Sequence, residues 1–141
     1  MNILIHTDGG ARGNPGPAAI GVVIKTDEQV VITELSQRIG WTTNNVAEYW
    51  AIIAALEWLK KNRALLQEKF PSASISCSLD SSLVVNQLNG LFKIKDAKLR
   101  ELLYKVKMLE QGIARNITYT YIPREQNIQA DTLVNQALDI L

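Results

Sequence analysis

An apolar run over residues 3–7 stops abruptly at an acid, Asp8, and a Gly- and Pro-rich segment follows it. The run predicts a buried strand, and the glycines allow the backbone to turn and to approach another molecule closely. The same arrangement recurs where the alternating segment 74–79 stops at a second acid, Asp80. Because α/β sheets form their sites at the carboxyl ends of strands, this repeated pattern predicts both a fold class and a site.

The other segments predict the element order βββ-α-β-α-α-β-α. The predicted strands cover residues 3–7, 18–26, 30–39, 74–79 and 117–122, and the predicted helices cover residues 46–61, 81–88, 97–111 and 128–141, with 63–70 ending or extending the first helix. Three strands with short connections, followed by strand–helix crossovers, predict an α/β fold. Its five-stranded mixed sheet is antiparallel over the first three strands, parallel at the crossovers, and flanked by helices. We expect a single domain over residues 1–141.

Composition limits the partners, the metal chemistry and the cellular compartment that we expect for the protein. Fifteen Lys and Arg residues against fourteen Asp and Glu residues give a net charge of +1, so no global field favours nucleic acid and a basic surface has to be local. The lone Cys77 excludes an internal disulfide and a Cys-based zinc site, and we expect it in the core. Without a membrane-span run or a secretion signal, we expect a soluble, cytoplasmic monomer with no membrane partner and no obligate protein partner.

Four acids occupy positions that converge in such a fold. Asp8 and Asp80 end predicted strands, Glu48 lies in the first turn of the first helix, and Asp131 lies near the start of the last helix. Each has a structural alternative: a turn at Asp8, a capping box between Glu48 and Asn45, a helix cap at Asp80, and a helix-dipole contact at Asp131. Two observations disfavour these alternatives, because Asn45 itself supplies the cap and Glu48 stands on an otherwise apolar helix.

Clustered carboxylates repel one another unless a cation lies between them. The predicted ligands are all oxygens, which suits Mg²⁺ or Mn²⁺ and disfavours zinc. His6, the only histidine, lies in mid-strand, where a hydrogen-bonded structural role is more typical than a ligand role. Two such ions about 3.5–4 Å apart activate a water and stabilise the leaving oxygen of a phosphodiester. The acids therefore predict phosphoryl transfer on nucleic acid.

Four sequence blocks carry a family resemblance. They are TDGGARGNPGP from Thr7, TTNNVAEY from Thr42, LDSSLVVNQLNG from Leu79 and IPREQNIQADTLVNQAL from Ile122. Together, and in this order, they resemble the type 1 ribonuclease H family (ribonuclease HI), in its subgroup without the basic protrusion. The resemblance implies a ribonuclease H-like three-layer fold. It also implies a metal-dependent endonuclease that cuts the RNA strand of RNA/DNA hybrids and leaves 3′-hydroxyl and 5′-phosphate ends.

The resemblance also implies roles for individual residues. Asp8, Glu48, Asp80 and Asp131 match the catalytic metal-binding acids, which hold two Mg²⁺ ions when substrate is bound, with Mn²⁺ as a substitute, and Glu48 is also placed to contact the RNA near the attacking water. The residues implied to bind substrate are Gly9, Gly10, Arg12, Gly13, Asn14, Thr43, Asn44, Asn45, Ser82 and Arg124. Among these, Thr43 matches a DNA phosphate contact, and the amides suit a phosphate or the ribose 2′-hydroxyl.

The chain departs from the family pattern in three places. Ser82 stands where many relatives have Gln or Glu, which weakens the expected minor-groove contact. Arg124 lies in the region where some relatives carry a catalytic His, so that role is absent here or passes to Arg124. We expect Arg124 to orient phosphate or assist product release, and a solvated surface arginine is the alternative. In place of the basic protrusion there is a short segment with a modest patch at Lys93, Lys95, Lys98 and Arg100. We therefore expect weaker and more salt-sensitive binding than in relatives with the protrusion.

The sequence leaves three alternatives to hybrid cleavage to consider. Double-stranded RNA shares the A-form minor groove with the hybrid and is the alternative substrate. A non-catalytic hybrid-binding module is disfavoured because it has little need for four acids. A nucleotide-binding loop over residues 9–16 is set aside, since no Gly-Lys-Ser/Thr follows and the next predicted element is a strand.

Overall fold

A computed structural model describes residues 2–140 as five strands and five α-helices. In chain order these are β1 (Asn2–Ala11), β2 (Gly16–Thr26), β3 (Val31–Thr42), α1 (Asn44–Lys61), α2 (Arg63–Lys69), β4 (Ser74–Leu79), α3 (Ser82–Leu88), α4 (Ala97–Ile113), β5 (Ile117–Tyr121) and α5 (Ile128–Asp139), with a 3₁₀ turn at Arg124–Gln126. The predicted order is confirmed, and residues 63–69 form a helix separate from α1. The final residue of the predicted last helix, Leu141, lies outside the described residues.

The five strands form one sheet in the order β3-β2-β1-β4-β5. Strand β2 pairs antiparallel with β1 and β3, whereas β4 pairs parallel with β1 and β5. The predicted mixed sheet is therefore confirmed. Helix α1 packs on β1 and β2 with α4 against it, and α5 packs on the opposite face against β1, β2 and β3. The protein thus has three layers, with the main core between the sheet and α1.

Helix α1 is buried on nearly every side, as its apolar sequence predicts. Ala47, Ile52 and Leu59 have no exposed surface. The helix begins at Asn44 because the Thr43 side chain, in extended backbone, accepts a hydrogen bond from the amide of Val46. The prediction that Asn45 supplies the cap is wrong, since Asn45 is already helical. This earlier start also places Glu48 in the second turn of the helix rather than the first.

Strand β1 continues past its predicted end at Thr7. Asp8 pairs with Gly21, and Gly9 pairs with Ile20, so the acid lies within the strand and the connecting loop shrinks to residues 12–15. Pairing with β2 extends the strand, and the packing of Gly9 permits it. A Cβ atom at Gly9 would lie 2.2 Å from the backbone of Ala47, so only glycine lets the strand run this close to α1.

The second layer of core lies under α5. Ala19 of β2 packs with Val134, Ala137 and Leu138 of the helix. Arg38 of β3 binds the end of this helix, because its guanidinium donates to the carbonyl oxygens of Ala137 and Leu138 at 2.9 and 3.0 Å. This contact ties the C-terminal end of α5 to the edge strand.

Three smaller findings complete the fold. Cys77 is buried in the main core, as predicted. Helix α4 continues two residues past the predicted range 97–111 and ends at Ile113, followed by Ala114 in the left-handed conformation with φ of 57°. Among residues 2–140, we find no helix with the length and apolar character that a membrane span needs.

Candidate active site

The first two acids meet because their strands are parallel neighbours. β1 and β4 pair in a register that sets His6 opposite Ser78. Continued by two residues, this register sets Asp8 beside Asp80, which directly follows β4. Strand pairing therefore brings two acids that are far apart in sequence next to each other, just beyond the point where β1 and β4 stop pairing.

Glu48 completes a cluster of three carboxylates. One carboxylate oxygen from each of Asp8, Glu48 and Asp80 lies within 4.8 Å of the other two. The Oε1 atom of Glu48 accepts a hydrogen bond from the amide of Gly9 at 2.9 Å, whereas its buried Oε2 atom has no hydrogen-bond partner among the described residues. The capping-box alternative is therefore wrong, because the Glu48 carboxylate contacts β1 and not the amide of Asn45.

Asp131, in the first turn of α5, faces the same cleft. This open cleft has a volume of about 520 Å³. All four predicted acids line it, together with the following residues predicted to bind substrate: Gly9, Gly10, Arg12, Asn44, Asn45, Ser82 and Arg124. Asn14 and Thr43 lie instead in an adjoining groove of about 450 Å³, which Asn45 and Lys98 also line. Gly13 lines neither space, but its φ of 95° forms the turn between β1 and β2.

Burial and the charges of neighbouring acids raise the pKa values of Asp8 and Glu48. Burial raises the pKa of Asp8 to about 7, the neighbouring Glu48 carboxyl opposes the rise, and the nearby Asp80 and Asp131 add to it. Burial, and then the charge of Asp8, raise the pKa of Glu48 well above its ordinary range. Acids that resist ionisation without a cation, one of them with an unpartnered buried oxygen, fit a divalent cation bound between them.

Comparison with known proteins identifies the family of this chain. A family model described as reverse transcriptase-like matches residues 6–137. Bifunctional protein Rv2228c of Mycobacterium tuberculosis is 41% identical over 140 residues, which make up 99% of this chain and 36% of that protein. Ribonuclease HI of Halobacterium salinarum is 39% identical over 134 residues, which make up 95% of this chain and 63% of that protein.

A solved structure agrees over nearly the full length of both chains. LC11-RNase H1, isolated from compost by a metagenomic approach and crystallised in complex with an RNA/DNA hybrid, is 44% identical, with a TM-score of 0.90 over 98% of this chain and 97% of that one. The chain belongs to the ribonuclease H family. It spans only about a third of the mycobacterial relative and less than two thirds of the halobacterial one.

Within this ribonuclease H fold, Asn127 is a site residue that the sequence analysis missed. It is fully buried, and its side-chain amide donates to the carbonyl oxygen of Thr7 at 2.9 Å and to Oδ2 of Asp80 at 3.2 Å. The helix-cap alternative for Asp80 is therefore wrong, because Ser81 caps α3 and Asp80 binds Asn127. The only available sequence signal was a polar residue one helical turn before Asp131.

His6 lies under the acids in a structural setting. It is partly buried, and its burial, together with the charge of Lys25, lowers its pKa. A contact with the Asn127 side chain opposes this shift. The structure places His6 outside the carboxylate cluster, in agreement with the structural role expected for it.

The side chains of Asn14 and Asn44, which are predicted to bind substrate, also hold the loop between β1 and β2. The amide of Asn44 donates to Oδ1 of Asn14 at 3.0 Å, and the amide of Ala11 donates to Oδ1 of Asn44 at 2.9 Å. These two contacts fasten the loop at residues 12–15 to the start of α1. The loop therefore reaches the cleft in a defined position.

Two residues that depart from the family pattern, Arg124 and Ser82, line the cleft. Arg124 lies in the 3₁₀ turn between β5 and α5, and Ser82 is the first residue of α3, so both lie on the cleft wall. Residues 89–96 join α3 and α4 as turns and irregular chain. Assignment to the subgroup without the protrusion stays a prediction.

Proposed function

We propose that this chain is a metal-dependent endoribonuclease that hydrolyses the RNA strand of RNA/DNA hybrids and leaves 3′-hydroxyl and 5′-phosphate ends. One observation carries the proposal: three carboxylates with oxygens within 4.8 Å of one another lie in an open cleft, just beyond the point where the pairing of β1 with β4 stops. Membership of the ribonuclease H family supports it, as does the hybrid bound to LC11-RNase H1.

The proposed metal ligands are Asp8, Glu48 and Asp80, joined by Asp131 from the opposite wall. All-oxygen ligands favour Mg²⁺, with Mn²⁺ as a substitute. A pair of such ions activates the attacking water and stabilises the leaving oxygen. Asp8 is the proposed shared ligand because its carboxyl is close enough to Glu48, Asp80 and Asp131 for all three to act on its pKa.

The protein's own groups position these ligands. The backbone amide of Gly9 donates a hydrogen bond to Oε1 of Glu48, and the side-chain amide of Asn127 donates one to Oδ2 of Asp80. Each hydrogen bond fixes the orientation of its carboxylate. Arg124 on the cleft wall is proposed to orient the phosphate or to assist product release.

The two adjoining spaces suit the two strands of a hybrid. We propose that the RNA strand lies along Gly9, Gly10 and the loop, where the backbone and amides reach the 2′-hydroxyl groups that distinguish RNA from DNA. The DNA strand would lie in the groove lined by Asn14, Thr43, Asn45 and Lys98, where a hydroxyl, two amides and a cation can bind phosphates.

The decisive experiment is incubation of the purified protein with an end-labelled RNA/DNA hybrid, with Mg²⁺, with Mn²⁺ and without either ion. We expect cleavage of the RNA strand only, with 3′-hydroxyl products, and only with a metal ion. Single-stranded RNA and double-stranded RNA are parallel substrates, and Asp80→Asn is the inactive control. No cleavage of the hybrid with either ion would refute the proposal, and equal cleavage of double-stranded RNA would widen the substrate class.

We further propose that residues 1–141 act as a single catalytic domain, that the protein works as a monomer, and that it resides in the cytoplasm. The buried free thiol of Cys77 suits a reducing compartment. Light scattering after size-exclusion chromatography tests the monomer, since a mass of twice 15.7 kDa would contradict it.

A further inference from the structure

An ion pair links the loop at the cleft to the end of the last helix. Nη2 of Arg12 lies 2.5 Å from Oδ1 of Asp139. The Arg12 backbone is held, because its amide donates to the carbonyl oxygen of Pro17 at 2.9 Å. Its side chain is exposed over 49% of its surface, and that of Asp139 over 66%. The Arg12 backbone is therefore fixed, whereas its exposed guanidinium can exchange one binding partner for another.

Asp139 stands where a helix disfavours an acid. It is the last residue of α5, and the last turn of that helix has no basic residue. The carbonyl groups at a helix C-terminus repel a negative side chain. Arg38 neutralises part of this end by binding the carbonyls of Ala137 and Leu138, but its guanidinium is directed to those carbonyls and not to Asp139. Arg12 is therefore the cation that offsets the acid.

Arg12 also belongs to the cleft. It lies four residues after Asp8 and lines the cleft that holds Asp8, Glu48 and Asp80. A guanidinium binds a phosphodiester through two parallel hydrogen bonds, the same geometry with which it binds a carboxylate. The Asp139 carboxylate thus binds the same guanidinium that a substrate phosphate would bind. An exposed pair of this kind is weak, so phosphate can displace it.

We propose that Asp139 is an internal competitor for Arg12, which it occupies until a phosphate of the RNA strand replaces it. The inference rests on the proposed function. The pair lowers hybrid affinity and leaves the chemical step alone, because Asp139 is absent from the carboxylate cluster. Arg12 is the substrate-binding residue, and Asp139 sets the affinity through it.

A double-mutant cycle tests this competition. The dissociation constant of a short RNA/DNA hybrid is measured by fluorescence anisotropy in metal-free buffer, for the wild type, Asp139→Asn, Arg12→Ala and the double variant. We expect Asp139→Asn to tighten binding about two- to fivefold, the scale of an exposed ion pair. We expect Arg12→Ala to weaken binding and to reduce the salt slope by about 0.7–0.9, the loss of one phosphate contact. In the Arg12→Ala background, Asp139→Asn should have almost no effect.

A charge-matched control separates competition from general repulsion. Glu125→Gln also removes one negative charge, beside the cleft residue Arg124, and should have the same effect in both backgrounds. An equal gain from Asp139→Asn with and without Arg12 would overturn the inference, as would unchanged or weaker binding in Asp139→Asn. Melting temperatures verify that each variant is folded, and Asp139→Ser replaces Asp139→Asn if that variant is not.

A cleavage assay keeps the two proposals apart. With Mg²⁺, the wild type should cleave the RNA strand, and Asp139→Asn should lower KM with kcat unchanged. A wild type that binds the hybrid without cleaving it would refute the proposed function. A wild type that cleaves while the cycle shows no coupling between Arg12 and Asp139 would refute this inference alone.

Discussion

The side-chain nitrogen of Asn127 lies 3.2 Å from Oδ2 of Asp80 and donates a hydrogen bond to it. The same nitrogen donates to the carbonyl oxygen of Thr7, the residue before Asp8. The backbone carbonyl oxygen of Asn127 accepts a hydrogen bond from the backbone amide of Asp131 at 3.1 Å. One buried residue thereby contacts Asp80, the residue before Asp8 and the backbone of Asp131.

We expect Asn127→Ala to reduce kcat by at least about tenfold and to raise the Mg²⁺ concentration needed for half-maximal activity. The change removes the donor to Asp80 and leaves the buried carbonyl of Thr7 without that partner, which costs about 1–3 kcal/mol of stability. Steady-state cleavage against Mg²⁺ concentration, with thermal unfolding in parallel, checks both effects.

Asn89→Ala is the control for a purely structural loss. The Asn89 side chain also donates to a backbone carbonyl, that of Tyr119, but it lies outside the cleft. The Asn89→Ala variant should have a lower melting temperature than the wild type and the same dependence of activity on Mg²⁺ concentration. If both variants shift the Mg²⁺ dependence equally, Asn127 has no special role in the site.

Asp8→Asn and Asp80→Asn should each reduce Mg²⁺-dependent cleavage by at least about a thousandfold, because each removes a proposed metal ligand. Both variants should remain folded, and without metal they should be as stable as the wild type or more stable, since a repelling charge is lost. Glu57→Gln makes the same type of change at an exposed site on α1 and should retain activity. Near wild-type cleavage by either Asp variant would refute the metal-site assignment.

Stability without metal should depend on pH through Asp8. Its pKa is about 7 in the folded protein and 3.8 as an ordinary Asp, so the folded state binds more protons between these values. The free energy of unfolding therefore falls as pH rises from about 4 to about 7. Because Asn at this position cannot ionise, the melting temperature of Asp8→Asn should exceed that of the wild type by a margin that widens from pH 5 to pH 8.

Differential scanning calorimetry of both proteins in chelator measures this margin. Mg²⁺ added at pH 8 should raise the melting temperature of the wild type more than that of the variant, because binding to the folded state stabilises it. A margin that stays constant across the pH range would show that the Asp8 carboxylate is not the group that titrates.

The two glycines after Asp8 should differ sharply in their tolerance of alanine. At Gly9 the new Cβ atom would lie 2.2 Å from the backbone of Ala47, whereas at Gly10 the nearest atom is Cγ1 of Val134 at 3.7 Å. Gly9→Ala should therefore destabilise the fold by several kcal/mol, roughly 3 or more, and Gly10→Ala by less than about 1 kcal/mol. Urea unfolding of the two variants measures this, and equal stabilities would contradict the close packing of β1 on α1.

Much of this architecture follows from local pattern. Alternation and apolar runs predicted the strands, the apolar character of residues 46–61 predicted a buried helix, and the two strand-then-acid segments predicted the edge of the sheet where Asp8 and Asp80 lie. Details that depend on neighbours were not predictable in this way. Thr43 and Asn45 both favour a helix cap, and backbone conformation selects Thr43. The strand extends through Gly9 because β2 continues opposite it.

By itself, the sequence determined the order of the elements and the family resemblance, and it predicted the four acids, because each element, sequence block and acid is recognised from its immediate neighbours in the chain. Only the tertiary structure decided the contacts of those residues. Asn127 reaches Asp80 across 47 residues, and Arg12 reaches Asp139 across 127. Such pairs form when strand register and helix packing bring distant groups within hydrogen-bonding distance, and no local pattern encodes that distance.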